Sequence, residues 1–144
     1  TYVPATLTFT GGLSLLATSA VTFQLGSVSS DKIAVFGGVL AGPASGTITL
    51  NLVSPFDTSN SGAFAAGTYT LFDFSSGGTT TSNFNTAGFT FGSTISGYTY
   101  SLGFSGNTLQ VTAVSAIPEP STYAAIFGAV AMAGAIWHRR RRTA

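Results

Sequence analysis

The sequence predicts an all-β domain followed by one C-terminal transmembrane helix. Polar and apolar residues alternate in several short segments, and no segment before residue 120 has helical periodicity. Alternation places successive side chains on opposite faces of a strand, so that one face is dry. We therefore divide the chain into a β-rich domain, residues 1–116, and a tail, residues 117–144.

The alternating segments share a polar face, mostly threonine, and an apolar face. They comprise residues 6–10, 20–25, 47–53, 68–74, 98–102 and 108–112. Residues 32–36 are more continuously apolar, which is typical of a strand that is buried on both faces. Glycine pairs such as Gly11–Gly12 and Gly37–Gly38 predict breaks between the strands.

Short strands separated by glycines are compatible with two architectures. One is an antiparallel sandwich. The other is a parallel β-solenoid, whose rungs stack on one another. Periodicity gives the faces of a strand but not the direction of its neighbours, so these residues leave both architectures open.

Four motifs near the start of the chain carry a family resemblance. They are Leu7–Leu13, Val21–Gly26, Ser30–Val35 and Gly38–Leu40, and segments 67–73 and 105–109 add to them. They resemble the end of proteins with autotransporter-associated β-strand repeats. The resemblance covers most of residues 5–113 and implies an extracellular solenoid whose C-terminal coils and cap lie in this region. Because the sequence does not begin with Met and Thr1 starts inside an expected strand, we expect the chain to be the C-terminal part of a longer precursor. Since an open sheet edge accepts another strand, self-association through solenoid edges is expected.

The tail contains three features in a fixed order. A Pro-Glu-Pro motif at Pro118, Glu119 and Pro120 precedes an apolar run of 15 residues from Tyr123 to Trp137. With its flanks this run predicts a transmembrane helix over about 121–138, just above the lower limit of roughly 17 residues. Trp137 is expected to anchor the helix at the interface. A basic run then stops transfer and fixes the orientation: Arg139, Arg140, Arg141 and Arg142.

This order resembles the PEP-CTERM sorting signal, whose motif Pro118, Glu119 and Pro120 match directly. The resemblance implies that an exosortase, a membrane-embedded cysteine protease, recognises the tail and removes it. It implies an exported protein, first held transiently in the inner membrane and then placed at the cell surface or outside the cell. An ordinary permanent membrane anchor is the alternative.

Charged residues are too few for several functions. Three aspartates and one lysine give residues 1–117 a net charge of −2, so no basic groove for nucleic acid is expected. The chain has no cysteine, and its one histidine, His138, lies in the tail. The body therefore lacks the residues of a Ser-His-Asp triad. No cofactor and no metal site are expected.

Two carboxylates could cleave glycosides, but structural roles are expected for the aspartates. Asp31 and Asp57 lie in turns, where bonds to the backbone are usual, and Asp73 lies in a strand. Six aromatic residues could stack on sugars, although core packing is the stronger expectation: Phe84, Phe89, Phe91, Tyr98, Tyr100 and Phe104.

The sequence thus predicts a structural or adhesive protein of the cell surface or extracellular matrix, not an enzyme. An extracellular polysaccharide is an expected partner. The alternatives are the non-catalytic C-terminal region of a secreted polysaccharide-active enzyme and a permanently anchored envelope protein.

Overall fold

The computed structural model describes residues 3–27, 29–54, 64–116 and 120–142. The chain divides into two compact units, Thr1–Val114 and Ser115–Ala144. The first unit is mostly β-structure. Its strands are β1 (Thr6–Ser14), β2 (Ala20–Gln24), β3 (Lys32–Ala41), β4 (Ile48–Val53), β5 (Gly67–Asp73), β6 (Thr80–Ser82), β7 (Phe89–Phe91), β8 (Tyr98–Ser105) and β9 (Thr108–Ser115), with a 3-10 turn at Thr86–Gly88.

The strands form two sheets. The larger sheet has the order β1-β3-β5-β9-β8, and β6 also pairs with β3. Its β1–β3, β3–β5 and β3–β6 pairs are parallel, whereas its β5–β9 pair is antiparallel. The smaller sheet has the order β2-β4-β7, and both of its pairs are parallel.

The predicted parallel β-solenoid is wrong, because the described residues do not close into one. After β5 the direction of pairing reverses, and Gly67 to Asp73 run antiparallel to Ala113 to Thr108. Only Gly106 and Asn107 join β8 to β9. Two residues suit a hairpin but are too few for the crossover that parallel neighbours need. The parallel pairs likewise exclude the purely antiparallel sandwich.

One hydrophobic core unites the two sheets. It contains inward residues of the larger sheet, such as Val35 and Leu71, and inward residues of the smaller sheet, such as Leu50. Phe23 of β2 meets Phe72 of β5 edge to face, with 5.6 Å between ring centroids. The apolar strand faces that alternation predicts therefore pack together in one core.

Two glycine pairs that predict breaks lie inside strands instead. Gly11–Gly12 belongs to β1 and Gly37–Gly38 to β3, and the two strands are neighbours. Both pairs have positive φ, as does Gly77–Gly78. A Cβ on Gly38 would collide with the carbonyl group of Gly11. The pairs thus form a shared bulge, where the absence of side chains lets neighbouring backbones approach.

The second unit contains helix α1 (Pro120–Arg142). Proline is tolerated at the first position of a helix because the N–H that it lacks would have no partner within the helix. No helical stretch of the described residues has the length and apolar character of a membrane span. The predicted transmembrane helix over about 121–138 is therefore wrong. Eight of the 15 residues from Tyr123 to Trp137 are Ala or Gly, which add little apolar surface.

Candidate functional site

Two charged side chains of the body lie close together on the larger sheet. Lys32 Nζ lies 3.6 Å from Asp73 Oδ2, and the pair is partly exposed. Their strands are neighbours, with Ala34 opposite Asp73. Asp31 directly precedes Lys32, whereas Asp57 lies outside the described residues. A partly exposed ion pair adds at most about 1 kcal/mol to stability. The Lys32–Asp73 pair is therefore a minor contribution to the stability of the fold.

Asp31 connects the ends of two strands. Its Oδ1 accepts a hydrogen bond from Ala5 N at 2.8 Å, and its Oδ2 accepts one from Gln24 N at 3.3 Å. Ala5 precedes β1, and Gln24 ends β2. The structural role expected for Asp31 is confirmed, although its bonds reach two strands that belong to different sheets.

Asp73 is held in its ionised form. Its Oδ1 accepts hydrogen bonds from Ser75 Oγ at 2.7 Å and from Ser75 N at 3.1 Å. The bond from the Ser75 hydroxyl is the main cause that lowers the pKa of Asp73, and Lys32 adds to it. Glycoside cleavage needs a carboxylic acid with a raised pKa to protonate the leaving group. Asp73 is therefore unsuited to that role.

A polar cleft of about 300 Å³ opens beside Lys32. Alcohol side chains dominate its lining: Pro4, Thr6, Ser29, Ser30, Lys32, Thr68, Tyr69 and Thr70. Ser30 Oγ already donates to Thr70 O at 2.9 Å. Hydroxyls and one ammonium group can bind polar ligands such as sugars. Among the described residues that line the cleft, none is a carboxylate.

The sequence did not single out Tyr69, which is 3% exposed. Its hydroxyl lies 2.6 Å from Ala65 O, 3.0 Å from Gly26 O and 3.4 Å from Ser27 O. A hydroxyl has one proton, so it donates to one of these carbonyls at a time. Burial is the main cause that raises the pKa of Tyr69. The alternation of residues 68–74 predicts only that Tyr69 points inward, not that its hydroxyl has these partners.

The aromatic residues pack on one another, which confirms the core expectation for most of them. Phe84 and Phe89 are buried. Phe84 contacts four rings: Phe72, Phe74, Phe89 and Phe104. Tyr98 and Tyr100 pack against Phe64, with centroids 4.6 and 6.4 Å apart. Of the six candidate rings only Phe104 is exposed, at 43%, so these six form no continuous outer strip.

Comparisons with protein-family models, with curated proteins and with solved structures found no match. Within the described residues, no three His, Cys, Asp or Glu side chains are grouped so that they could hold a metal ion.

The tail residues are described in part. Pro118 and Glu119 lie outside the described residues, and Pro120 is the first residue of α1. Trp137 is 61% exposed. The basic run continues the helix to its last residue, with an exposed Arg139 followed by Arg140, Arg141 and Arg142. The Pro-Glu-Pro motif as a sorting site stays a prediction.

Proposed function

We propose that this chain is a non-enzymatic structural or adhesive protein of the cell surface, and that its C-terminal segment is a removable sorting signal. An exosortase-type protease of the inner membrane cuts the tail from the precursor. The body is then placed at the surface or in the extracellular matrix.

One observation carries the proposal that the tail is removable. Every buried residue among those described lies between Phe23 and Ala113. The tail lies in a compact unit of its own, Ser115–Ala144, and none of its described side chains is buried. A signal that is cut off after export needs this independence, because the remaining domain must stay folded.

The order of features in the tail supports the same proposal. Pro118, Glu119 and Pro120 match the PEP-CTERM motif, and a helix and a basic run follow. Apolar side chains of the helix are largely exposed, with Ile126 at 56% and Phe127 at 72%. Such side chains are available to a protease that is embedded in a membrane.

The body supports a structural or adhesive role rather than catalysis. Asp31 binds backbone N–H groups, and Asp73 binds Ser75 and Lys32. The cleft beside Lys32 presents hydroxyls, which suit contact with an extracellular polysaccharide.

Mass analysis of protein released from the surface of the producing cells tests this proposal. We expect the intact mass and the C-terminal peptide to show that Trp137–Ala144 is missing, while peptides containing Lys32 are recovered. A Glu119→Gln precursor, which changes only the motif, should be processed more slowly. Recovery of a Trp137 peptide from released protein would contradict the proposal. Quantitative retention of the whole chain in membranes would favour the permanently anchored alternative.

A further inference from the structure

Strand β1 has an outer edge that no other described strand covers. Within the described residues it lies at the end of the larger sheet and pairs only with β3. Lys32 N donates to Ala5 O, and Leu15 N donates to Ala41 O. Backbone groups of a strand alternate in direction, so the odd-numbered residues of β1 face β3. The N–H and C=O groups of the even-numbered residues therefore face the open edge: Thr6, Thr8 and Thr10.

The core is uncovered at this edge. Leu7 is 57% exposed, whereas its register partner Ile33 is 8% exposed. Phe9 is only partly buried, whereas its partner Val35 is 1% exposed. The inward side chains of β3 are thus covered by β1, whereas no described strand covers those of β1 in the same way. Another strand placed beside β1 would cover them.

The edge has no charged protection. Proteins usually guard a free strand with lysine, proline, an inward charge or a bulge. β1 contains no charged residue and no proline. The register shift between Thr10 and Gly12 interrupts only its second half. Residues Thr6 to Thr10 remain a regular and neutral strand.

This stretch is self-complementary. It reads Thr-Leu-Thr-Phe-Thr, with the same polar and apolar pattern in both directions. We propose that two copies of this chain pair antiparallel through Thr6–Thr10, with Thr8 on the two-fold axis. Thr8 then faces Thr8 of the partner subunit, and Thr6 faces Thr10 of the partner subunit.

This register satisfies the open edge. Each of the three threonines directs both of its backbone groups at the partner, as hydrogen-bonded antiparallel pairs require. Leu7 lies beside Phe9 of the partner subunit, so the uncovered apolar residues pack together. Facing threonines also form favourable cross-strand pairs. Because both copies use the same patch, the contact closes at two copies.

The other edge of the larger sheet differs. The inward side chains of β8 include Tyr98 and Tyr100, which already pack against Phe64. The pairing of β1 uses only the body, so it holds whether or not the tail is a sorting signal.

Single cysteines test the register, because the chain contains no cysteine of its own. Directly opposite residues in a hydrogen-bonded antiparallel pair have Cα atoms about 5.5 Å apart, within the disulfide range of about 4.4–6.8 Å. Full-length Thr8→Cys should form a disulfide-linked dimer under mild oxidation. Ser101→Cys, an exposed position on β8, is the matched control. Since pairing raises the local thiol concentration, Thr8→Cys should react at least about tenfold faster.

Two further variants fix the position of the axis. Thr6→Cys alone should cross-link slowly, because its opposite residue is Thr10 of the partner subunit. The double variant Thr6→Cys/Thr10→Cys should cross-link as fast as Thr8→Cys. Equal rates for Thr8→Cys and Ser101→Cys would overturn the proposal.

Sedimentation velocity gives an independent test without cysteines. We expect wild-type full-length protein to dimerise with increasing concentration, and Leu7→Lys to stay monomeric because pairing would bury its charge. Val114→Lys is the control, since Val114 is 55% exposed and lies on β9. It should dimerise like the wild type. A monomeric wild type, or a dimeric Leu7→Lys variant, would also overturn the proposal.

Discussion

Gly38 of β3 lies directly against the carbonyl group of Gly11 in β1. Its φ of +65° also belongs to the left-handed region, which costs residues with a Cβ about 1–2 kcal/mol. Gly38→Ala should therefore lower the free energy of unfolding by about 3 kcal/mol, because backbone strain and a collision add together. Urea unfolding of the purified variant measures this loss.

Gly78→Ala is the control for this prediction. Gly78 has nearly the same φ, +66°, but a Cβ there meets nothing within 4 Å. Its variant should lose only the backbone contribution, about 1 kcal/mol. Equal losses for the two variants would show that the close approach of β1 and β3 does not require glycine.

Tyr69→Phe tests the buried hydroxyl that three backbone carbonyls surround. The substitution keeps the ring and removes the donor, which leaves buried carbonyls without it. We expect a loss of about 1–3 kcal/mol in the free energy of unfolding. Tyr123→Phe, at a residue of α1 that is 48% exposed, should change nothing in the same measurement. A neutral Tyr69→Phe would mean that the carbonyls are satisfied without the hydroxyl.

Alkaline pH should destabilise the body through its buried tyrosines. Burial is the main cause that raises the pKa of Tyr100 to about 12, and Tyr98 adds to it; the ordinary value is about 10. The folded state therefore keeps the proton longer than the unfolded state. The contribution of Tyr100 is fully present below about pH 10 and is lost as the pH rises towards 12.

Urea unfolding at a series of pH values measures this effect. The free energy of unfolding should fall between about pH 10 and 12. Tyr100→Phe should flatten the fall, and Tyr69→Phe/Tyr100→Phe should flatten it further, because burial also raises the pKa of Tyr69. An unchanged slope in the double variant would assign the effect to other groups.

The basic run should control processing of the precursor. Each arginine near an anionic membrane surface contributes about 1 kcal/mol, so replacing Arg139–Arg142 with serine should remove about 4 kcal/mol of attraction. The processed fraction should then fall sharply. Glu119→Gln should keep the precursor at the membrane but slow its processing. Fractionation and immunoblotting distinguish the two effects, and normal processing of the four-serine variant would contradict this role.

The alternation of polar and apolar residues predicts the positions of strands better than it predicts which strands pair with one another. Residues 6–10 and 108–112 lie in strands, as expected, but both strands extend further. β6 and β7 were missed, because each has only three residues and such short segments carry little periodicity. The direction of β9 depends on the short turn before it and on packing against β5. The alternation of polar and apolar residues gives no information on either the turn or the packing partner.

The candidate sites likewise show that local features are predictable from sequence, whereas contacts between distant segments are not. Asp31 was expected to bind backbone groups, and it does, but its two strands are brought together only by the fold. Tyr69 was not expected, because nothing in the sequence places Gly26 beside Ala65. The prediction of a transmembrane span over about 121–138 is wrong because it rests on length. The many small residues of the segment make it only weakly apolar. Pro118 and Glu119 stay a prediction from sequence.

The positions of the oxidisable residues in the chain bear on chemical durability. The only methionine, Met132, and the only tryptophan, Trp137, lie in α1, as does His138. Residues 1–116 contain no sulfur atom, because cysteine is also absent. Sulfur side chains are the ones that oxidants convert through sulfenic acids, disulfides and sulfoxides. Residues 1–116 therefore carry no thiol or thioether that oxidants could modify.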